Sequence, residues 1–267
     1  MLNKFSALFI GDLIGRPGRQ ALARFLPQLR KKYRPDLVIA NAENAAGGNG
    51  LTEEIGKELF FQVDVLTSGN HIWDKKEVLN YLEKEPRLLR PANYPASNPG
   101  HGYYLYQNET GIKVAVLNLQ GRVFMEPIDC PFLQADRLLE TIKPATPIII
   151  IDFHAEATSE KQALGWYLDG QASAVIGTHT HIPTADERIL PKGTAYITDV
   201  GMAGGLNSVI GMRPEQAIRR FLTSRPQHFE PAKDGLMLSA VFITLDPDTG
   251  KALSISRELI TEEKSGE

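Results

Sequence analysis

The chain has 267 residues, of which 42% are hydrophobic and 23% charged, too apolar a balance for a disordered chain. Its one cysteine, Cys130, excludes an internal disulfide framework and a structural zinc site built on cysteines. Lys and Arg number 29 against 32 Asp and Glu, a net charge of −3, which argues against a protein built to coat nucleic acid or anionic membrane.

Length alone allows one or two domains. No repeat, low-complexity tract or Pro/Gly/Ser linker divides the chain, so one domain over residues 1–267 is expected. Lys4 is the only early positive charge, and Ala7–Ile10 is too short for the apolar stretch of a signal peptide. The longest apolar run, around Ile148–Ile151, is far below a membrane span. A soluble protein of a reducing, cytoplasmic compartment is expected.

The first 90 residues alternate short apolar runs with amphipathic stretches. Ala7–Ile10, Leu37–Ala40 and Val63–Leu66 read as strands buried on both faces. Between them, Gln20–Lys32 and Thr52–Phe61 read as helices, and Asp74-Lys-Lys-Glu77 fits a capping box before Val78. This alternation predicts parallel βαβ units. Further on, Tyr103–Tyr106 and Lys113–Leu119 flank a Gly-containing turn and predict a hairpin. Gln134–Ile142 reads as a helix, Ile148–Phe153 as a central strand, Lys161–Leu168 as a helix and Ala174–Ile176 as a strand. Arg188–Leu190 with Ala195–Thr198 and Leu238–Leu245 with Ala252–Glu258 predict two more hairpins. Pro214–Leu222 is a helix with proline in its first turn, and Thr261–Glu267 is a frayed polar tail. Parallel units come first and mixed or antiparallel pairing later, an α/β sandwich of two sheets.

Polar residues follow nearly every strand. Asp12, Glu43 with Asn44, Asn70 with His71, His154, and His179 with His181 all occupy such positions, and they include four of the six histidines. Ligand sites of open α/β sheets lie beyond the carboxyl ends of the strands, so these loops are expected to converge. Singly, each has a bland reading. Asp12 can cap a helix, Glu43-Asn44 and Gly69-Asn70-His71 can be polar turns, and His154 can be a satisfied core histidine. His179-Thr-His181 is more pointed, because residues two apart in extended chain face the same side. Together, one Asp, one Glu, two Asn and four His are the donor types of a dinuclear transition-metal site. Two adjacent metals need a shared ligand, and the two oxygens of Glu43 suit that role.

Gly11-Asp12, Gly69-Asn70-His71, the strand-terminal His154 and Gly177-Thr-His179-Thr-His181 resemble the ordered motifs of the calcineurin-like metallophosphoesterases. Two departures stand out. Ile14 replaces the usual first-motif histidine, and the second motif reads Asn41-Ala-Glu43-Asn44. Together with Gly11–Arg19, Thr67–Asp74 and Thr198–Met202, those departures resemble the YmdB family over residues 11 to about 212. Gly204-Gly-Leu-Asn207 fits that pattern less well.

The resemblance implies the α/β metallophosphoesterase sandwich, two mixed sheets flanked by helices. It implies two divalent or mixed-valence transition metal ions, iron or manganese. Asp12, Glu43, Asn44 and His181 would hold one ion. Glu43, Asn70, His154 and His179 would hold the other, with Asn44 standing in for the missing histidine. His71 would face the scissile phosphate as the catalytic residue. The implied substrate is a small 2′,3′-cyclic nucleotide, opened to a 3′-monophosphate by in-line attack of a metal-bridging hydroxide. A phosphatase acting on another phosphoester and a metal-site regulatory protein with little catalysis are the alternatives. A metal-free nucleotide-binding domain would leave the histidine cluster incidental. No membrane partner and no strong nucleic-acid patch are expected, and a homo-oligomer is compatible with the chain.

Three weaker signals complete the reading. Gly15-Arg-Pro-Gly18 with Arg19 reads as a tight turn, or else as a phosphate-approaching loop. Trp73 packs in the core or stacks on a base, and Arg30–Arg34 is a solvated helix end.

Overall fold

The computed structural model describes residues 4–262. In chain order the strands are β1 (Phe5–Ile10), β2 (Asp12–Leu13), β3 (Leu37–Asn41), β4 (Val65–Thr67), β5 (Tyr103–Gln107), β6 (Lys113–Gln120), β7 (Ile149–His154), β8 (Ala174–Thr178), β9 (Arg188–Ile189), β10 (Ala195–Ile197), β11 (Met202–Gly205), β12 (Leu236–Leu245) and β13 (Ala252–Thr261). The helices are α1 (Gly15–Tyr33), α2 (Glu53–Leu59), α3 (Val78–Lys84), α4 (Pro131–Ile142), α5 (Thr158–Tyr167) and α6 (Pro214–Thr223), with a 3₁₀ turn over Asn70–Trp73.

The strands form two mixed sheets. The first runs β2-β11-β12-β1-β3-β4, with β13 on the other side of β12. Within it β1, β3 and β4 are parallel, as the alternating pattern predicts. The second runs β5-β6-β7-β8-β10-β9. It is more parallel than expected, because β6, β7, β8 and β10 all point the same way and only its edge strands reverse.

Side-chain alternation explains the layering. Phe5, Ala7 and Phe9 of β1 point between the sheets, where they meet Val114 and Val116 of β6, Ile150 of β7 and Ile176 of β8. Leu8 and Ile10 point the other way, onto Leu22, Phe25, Leu26 and Leu29 of α1. The outer face of the second sheet is covered by Leu139 of α4 and Leu164 of α5. Each central strand is therefore buried on both faces, which is why it reads as a continuous apolar run.

Several expectations need correction. Helix α1 begins at Gly15, so Gly15-Arg-Pro-Gly18 is its first turn and neither a separate tight turn nor a phosphate loop. Proline is tolerated there because the amides of a first helical turn have no partner within the helix. Arg19 donates to the Ala45 carbonyl at 2.6 Å. Asp12 caps nothing; the N-cap is Ile14, without a side-chain bond. The capping box before Val78 is absent too, because Asp74 is hydrogen-bonded to His71 and Asn49 instead. Strand β11 has no counterpart in the sequence reading, because Met202-Ala-Gly-Gly205 carries little strand propensity. Thr52 does cap α2, accepting from the Ile55 amide. Of the expected frayed tail, Thr261 ends β13 and the Glu262 amide bonds the Leu236 carbonyl, while 263–267 lie outside the described residues.

Candidate metal centre

The carboxyl ends of parallel strands from both sheets meet at one place. Asp12 follows β1, and Glu43 and Asn44 follow β3. Asn70 and His71 open the 3₁₀ turn after β4, His154 ends β7, and His179 and His181 follow β8. The first sheet thus supplies the carboxylates and amides, and the second supplies three imidazoles.

His154 is the hub. Its Nε2 lies 3.0 Å from Glu43 Oε1, 3.2 Å from Asn70 Oδ1 and 3.0 Å from His179 Nδ1. Glu43, His154 and His179 place their donor atoms within 4.8 Å of one another. A second group adjoins them. The Asn44 amide sits 3.3 Å from both Glu43 Oε1 and His181 Nε2. Asp12 Oδ1 is 3.9 Å from both His181 Nε2 and His154 Nδ1. All seven expected ligands therefore converge, with Glu43 touching both groups.

The rings are fixed from behind. His154 Nδ1 lies 2.9 Å from Thr178 Oγ1, which donates to Asp152 Oδ1 at 2.7 Å. His179 Nε2 lies 3.1 Å from Glu156 Oε2. His181 Nδ1 donates to the Ile210 carbonyl at 2.9 Å. Each of these bonds leaves the opposite nitrogen facing the cluster, the arrangement that orients histidine ligands toward a metal. His179 and His181 both have positive φ, 102° and 65°. Such backbone costs about 1–3 kcal/mol and persists where the surroundings over-determine it. Here the holder is Asp199, whose Oδ2 accepts from the Thr180 amide and from buried Lys161 Nζ at 2.6 Å. Gly69 is required for room, since a Cβ there would lie 2.0 Å from the His154 ring.

The electrostatics favour a cation. Asp12, Glu43 and His154 are fully buried. Among the described residues Asp12 Oδ1 has no hydrogen-bond partner, an orphaned buried carboxylate oxygen. Burial, reinforced by Glu43 and Asp199, pushes the Asp12 carboxyl up. Burial also opposes charge on Glu43 and His154, but their mutual attraction outweighs it. Glu43 is held down at about 2 and His154 is pushed up to about 9. Burial beside that positive ring pushes His179 down to about 3. The two buried carboxylates of Asp12 and Glu43, one of them with an unsatisfied oxygen, are the groups that would attract a cation here. The donor set of imidazole, carboxylate and amide oxygen suits a first-row transition metal, so the residues fit the implied metal ions.

His71 stands apart from the ligands. Its backbone amide donates to Glu43 Oε2 at 2.9 Å, while its partly exposed ring lies 2.9 Å from Asp74 Oδ2 through Nδ1. His71, Glu43, Asn44, His179 and His181 line one cavity of about 590 Å³. Trp73 packs against the helix-side core and edge-on to Tyr94, as a core residue does.

Some residues at the site were given no role there by the sequence. Thr178, Glu156, Asp199, Lys161 and Asp74 act by holding a ligand or His71, and only contact reveals that. Asp152 did leave a trace, as one carboxylate inside the apolar run Ile148–Phe153.

Known proteins similar to this chain show its family. The profile of the YmdB-like protein family matches residues 8–258. The 2′,3′-cyclic-nucleotide 2′-phosphodiesterase of Bacillus subtilis strain 168 is 53% identical over 257 residues, covering 96% of this chain and 97% of its own. A hypothetical protein from Thermus thermophilus superposes with a TM-score of 0.90 at 45% identity, over 97% of this chain and 100% of its own. A novel phosphatase of Mycoplasma pneumoniae superposes with a TM-score of 0.93 at 40% identity, over 99% of this chain and 96% of its own. The chain belongs to the YmdB-like family and has the metallophosphoesterase fold.

Proposed function

We propose that this enzyme is a dimetal phosphodiesterase that opens 2′,3′-cyclic nucleotides to 3′-monophosphates. The observation that carries the reading is the donor cluster around His154 beside the unsatisfied Asp12 oxygen. Similarity to the Bacillus subtilis enzyme supports the substrate class. Asp12, Glu43, Asn44 and His181 would hold one ion, and Glu43, Asn70, His154 and His179 the other. Iron or manganese suits these donors. When bound, two such cations polarise phosphate oxygens and make water a competent nucleophile near neutral pH.

The chain's own residues do the rest. Water adds across the P–O2′ bond, so phosphorus gains a hydroxyl and O2′ gains a proton. His71 faces the cavity and gives that proton from its ring, and the proton released by the attacking water restores the ring. Asp74 holds Nδ1, which turns Nε2 toward substrate. Glu43 Oε2 receives the His71 amide and so fixes the distance between the proton donor and the ligand cluster. Ligands from both sheets support treating residues 1–267 as one domain. The lone cysteine fits a reducing, cytoplasmic setting.

The Mycoplasma pneumoniae phosphatase keeps a second reading open, a monoesterase on another substrate. Comparing kcat/KM for 2′,3′-cyclic AMP with that for the 2′- and 3′-monophosphates tests the choice. Preference for the cyclic diester is expected. Faster release of inorganic phosphate from a monoester would overturn it.

A further inference from the structure

The cavity above the ligand cluster has two unlike walls. One carries the polar side chains of Glu43, His71 and His179. The other is largely apolar, with Arg220 at its edge and five apolar side chains, Ile210, Met212, Ala217, Phe221 and Phe229. All five come from the excursion between β11 and β12, residues 206–235. Its path is tied to the site, because the Ile210 carbonyl accepts from His181 Nδ1. Further on, Met212 pairs with Pro231, and Arg213 Nη1 lies 2.9 Å from Glu230 Oε2.

Helix α6 in this excursion is built unlike the other helices of the core. Ala217 is its only buried residue. Phe221, one turn on, shares the face of Ala217 and is 83% exposed while still lining the cavity. An exposed aromatic ring at the mouth of a polar site contributes nothing to the core. Lining the cavity, it is placed to be covered by a ligand that enters there. Phe229, 37% exposed, lines the same wall from the return segment.

Resting on the proposed cyclic-nucleotide reading, we infer that Phe221 and Phe229 form a base subsite that stacks the nucleobase while the cyclic phosphate lies on the ligand cluster. Every base presents a π-face, so such a wall binds nucleotides without choosing strongly among bases. No hydrogen-bonding side chain is needed for it. The same wall adds nothing for a substrate that lacks a base, so it separates nucleotides from other cyclic phosphodiesters.

The test compares 2′,3′-cyclic AMP with the 2′,3′-cyclic phosphate of methyl riboside, which keeps the reacting ring and removes the base. The native enzyme is expected to favour the nucleotide in kcat/KM by about 10- to 100-fold, the contribution of aromatic stacking. Phe221→Ala with Phe229→Ala is expected to collapse that ratio toward one. A ratio that survives in the double variant overturns the subsite. Phe221→Trp keeps the ratio if stacking is the cause, and loss of the ratio there overturns stacking. Saturation-transfer NMR with adenosine 3′-monophosphate gives a readout independent of turnover. Loss of adenine-ring signals in the double variant supports the subsite, and unchanged signals contradict it even if cyclic diesters prove not to be the substrate.

Discussion

His154 Nε2 and His179 Nδ1 face each other at 3.0 Å, with their rings crossed at 78°. Each ring is engaged from behind, by Thr178 and Glu156 respectively. Thr178 also donates to Asp152, so one hydroxyl couples the hub ligand to a buried carboxylate. Thr178→Val removes that link while keeping the side chain's shape. Metal affinity is expected to fall about 10- to 100-fold, the usual cost of losing such a partner. Titration of the depleted protein with manganese measures it, and an unchanged affinity would show that Thr178 does not orient His154.

His71 makes no contact that marks it as a ligand. His71→Ala is expected to lower kcat by about 10²- to 10⁴-fold while both metal ions remain bound. Proportional loss of metal and turnover would make His71 structural. Asp74→Asn is expected to lower kcat less, and the double variant to fall short of the product of the two effects, because both residues serve one proton donor. Steady-state kinetics alongside elemental analysis give both answers.

Lys161 and Asp199 form a buried ion pair under the His179–His181 segment. Lys161→Met leaves the Asp199 carboxylate without its cation. Such a loss costs about 3–5 kcal/mol, because an uncompensated charge stays buried. Urea denaturation reads the cost. A change below about 1 kcal/mol would mean that the pair is not what holds this segment.

Asp186 lies away from the ligands and offers a test in pH. Burial raises its carboxyl, but hydrogen bonds from the Thr184 hydroxyl and from the Thr198 hydroxyl and amide outweigh burial and hold it below the usual value. A depressed folded value means that the stabilisation is fully present above the unfolded pKa, about 3.9, and is lost as pH falls through the folded one. Asp186→Asn is therefore expected to be less stable than the native protein near neutrality, with the gap closing as pH drops below about 4. Denaturation across pH measures the gap, and a gap independent of pH would contradict the assignment.

What the sequence reveals follows from how local each signal is. Strands buried on both faces, such as Leu37–Ala40 and Ile148–Phe153, announce themselves by unbroken apolarity. Ligands at strand ends are legible for the same reason, since the strand fixes where the next side chains go. The partners that aim those ligands are not. Thr178, Glu156 and Asp199 matter only through contacts across the fold. Asp74 misled for a related reason, because its spacing to Glu77 mimics a cap while its carboxylate is engaged by His71. The role of Phe221 needed α6 to be seen standing over the cluster.

The proposed function requires this cluster to hydrolyse a cyclic phosphodiester through bound metal. The most direct test is turnover of 2′,3′-cyclic AMP by protein stripped of metal and then reloaded with manganese or iron, with the product isomer identified. No turnover is expected from the stripped protein, and release of the 3′-monophosphate from the reloaded one. Two bound metals without turnover would leave the site standing but contradict phosphodiesterase activity, and would favour a regulatory role for the metal centre.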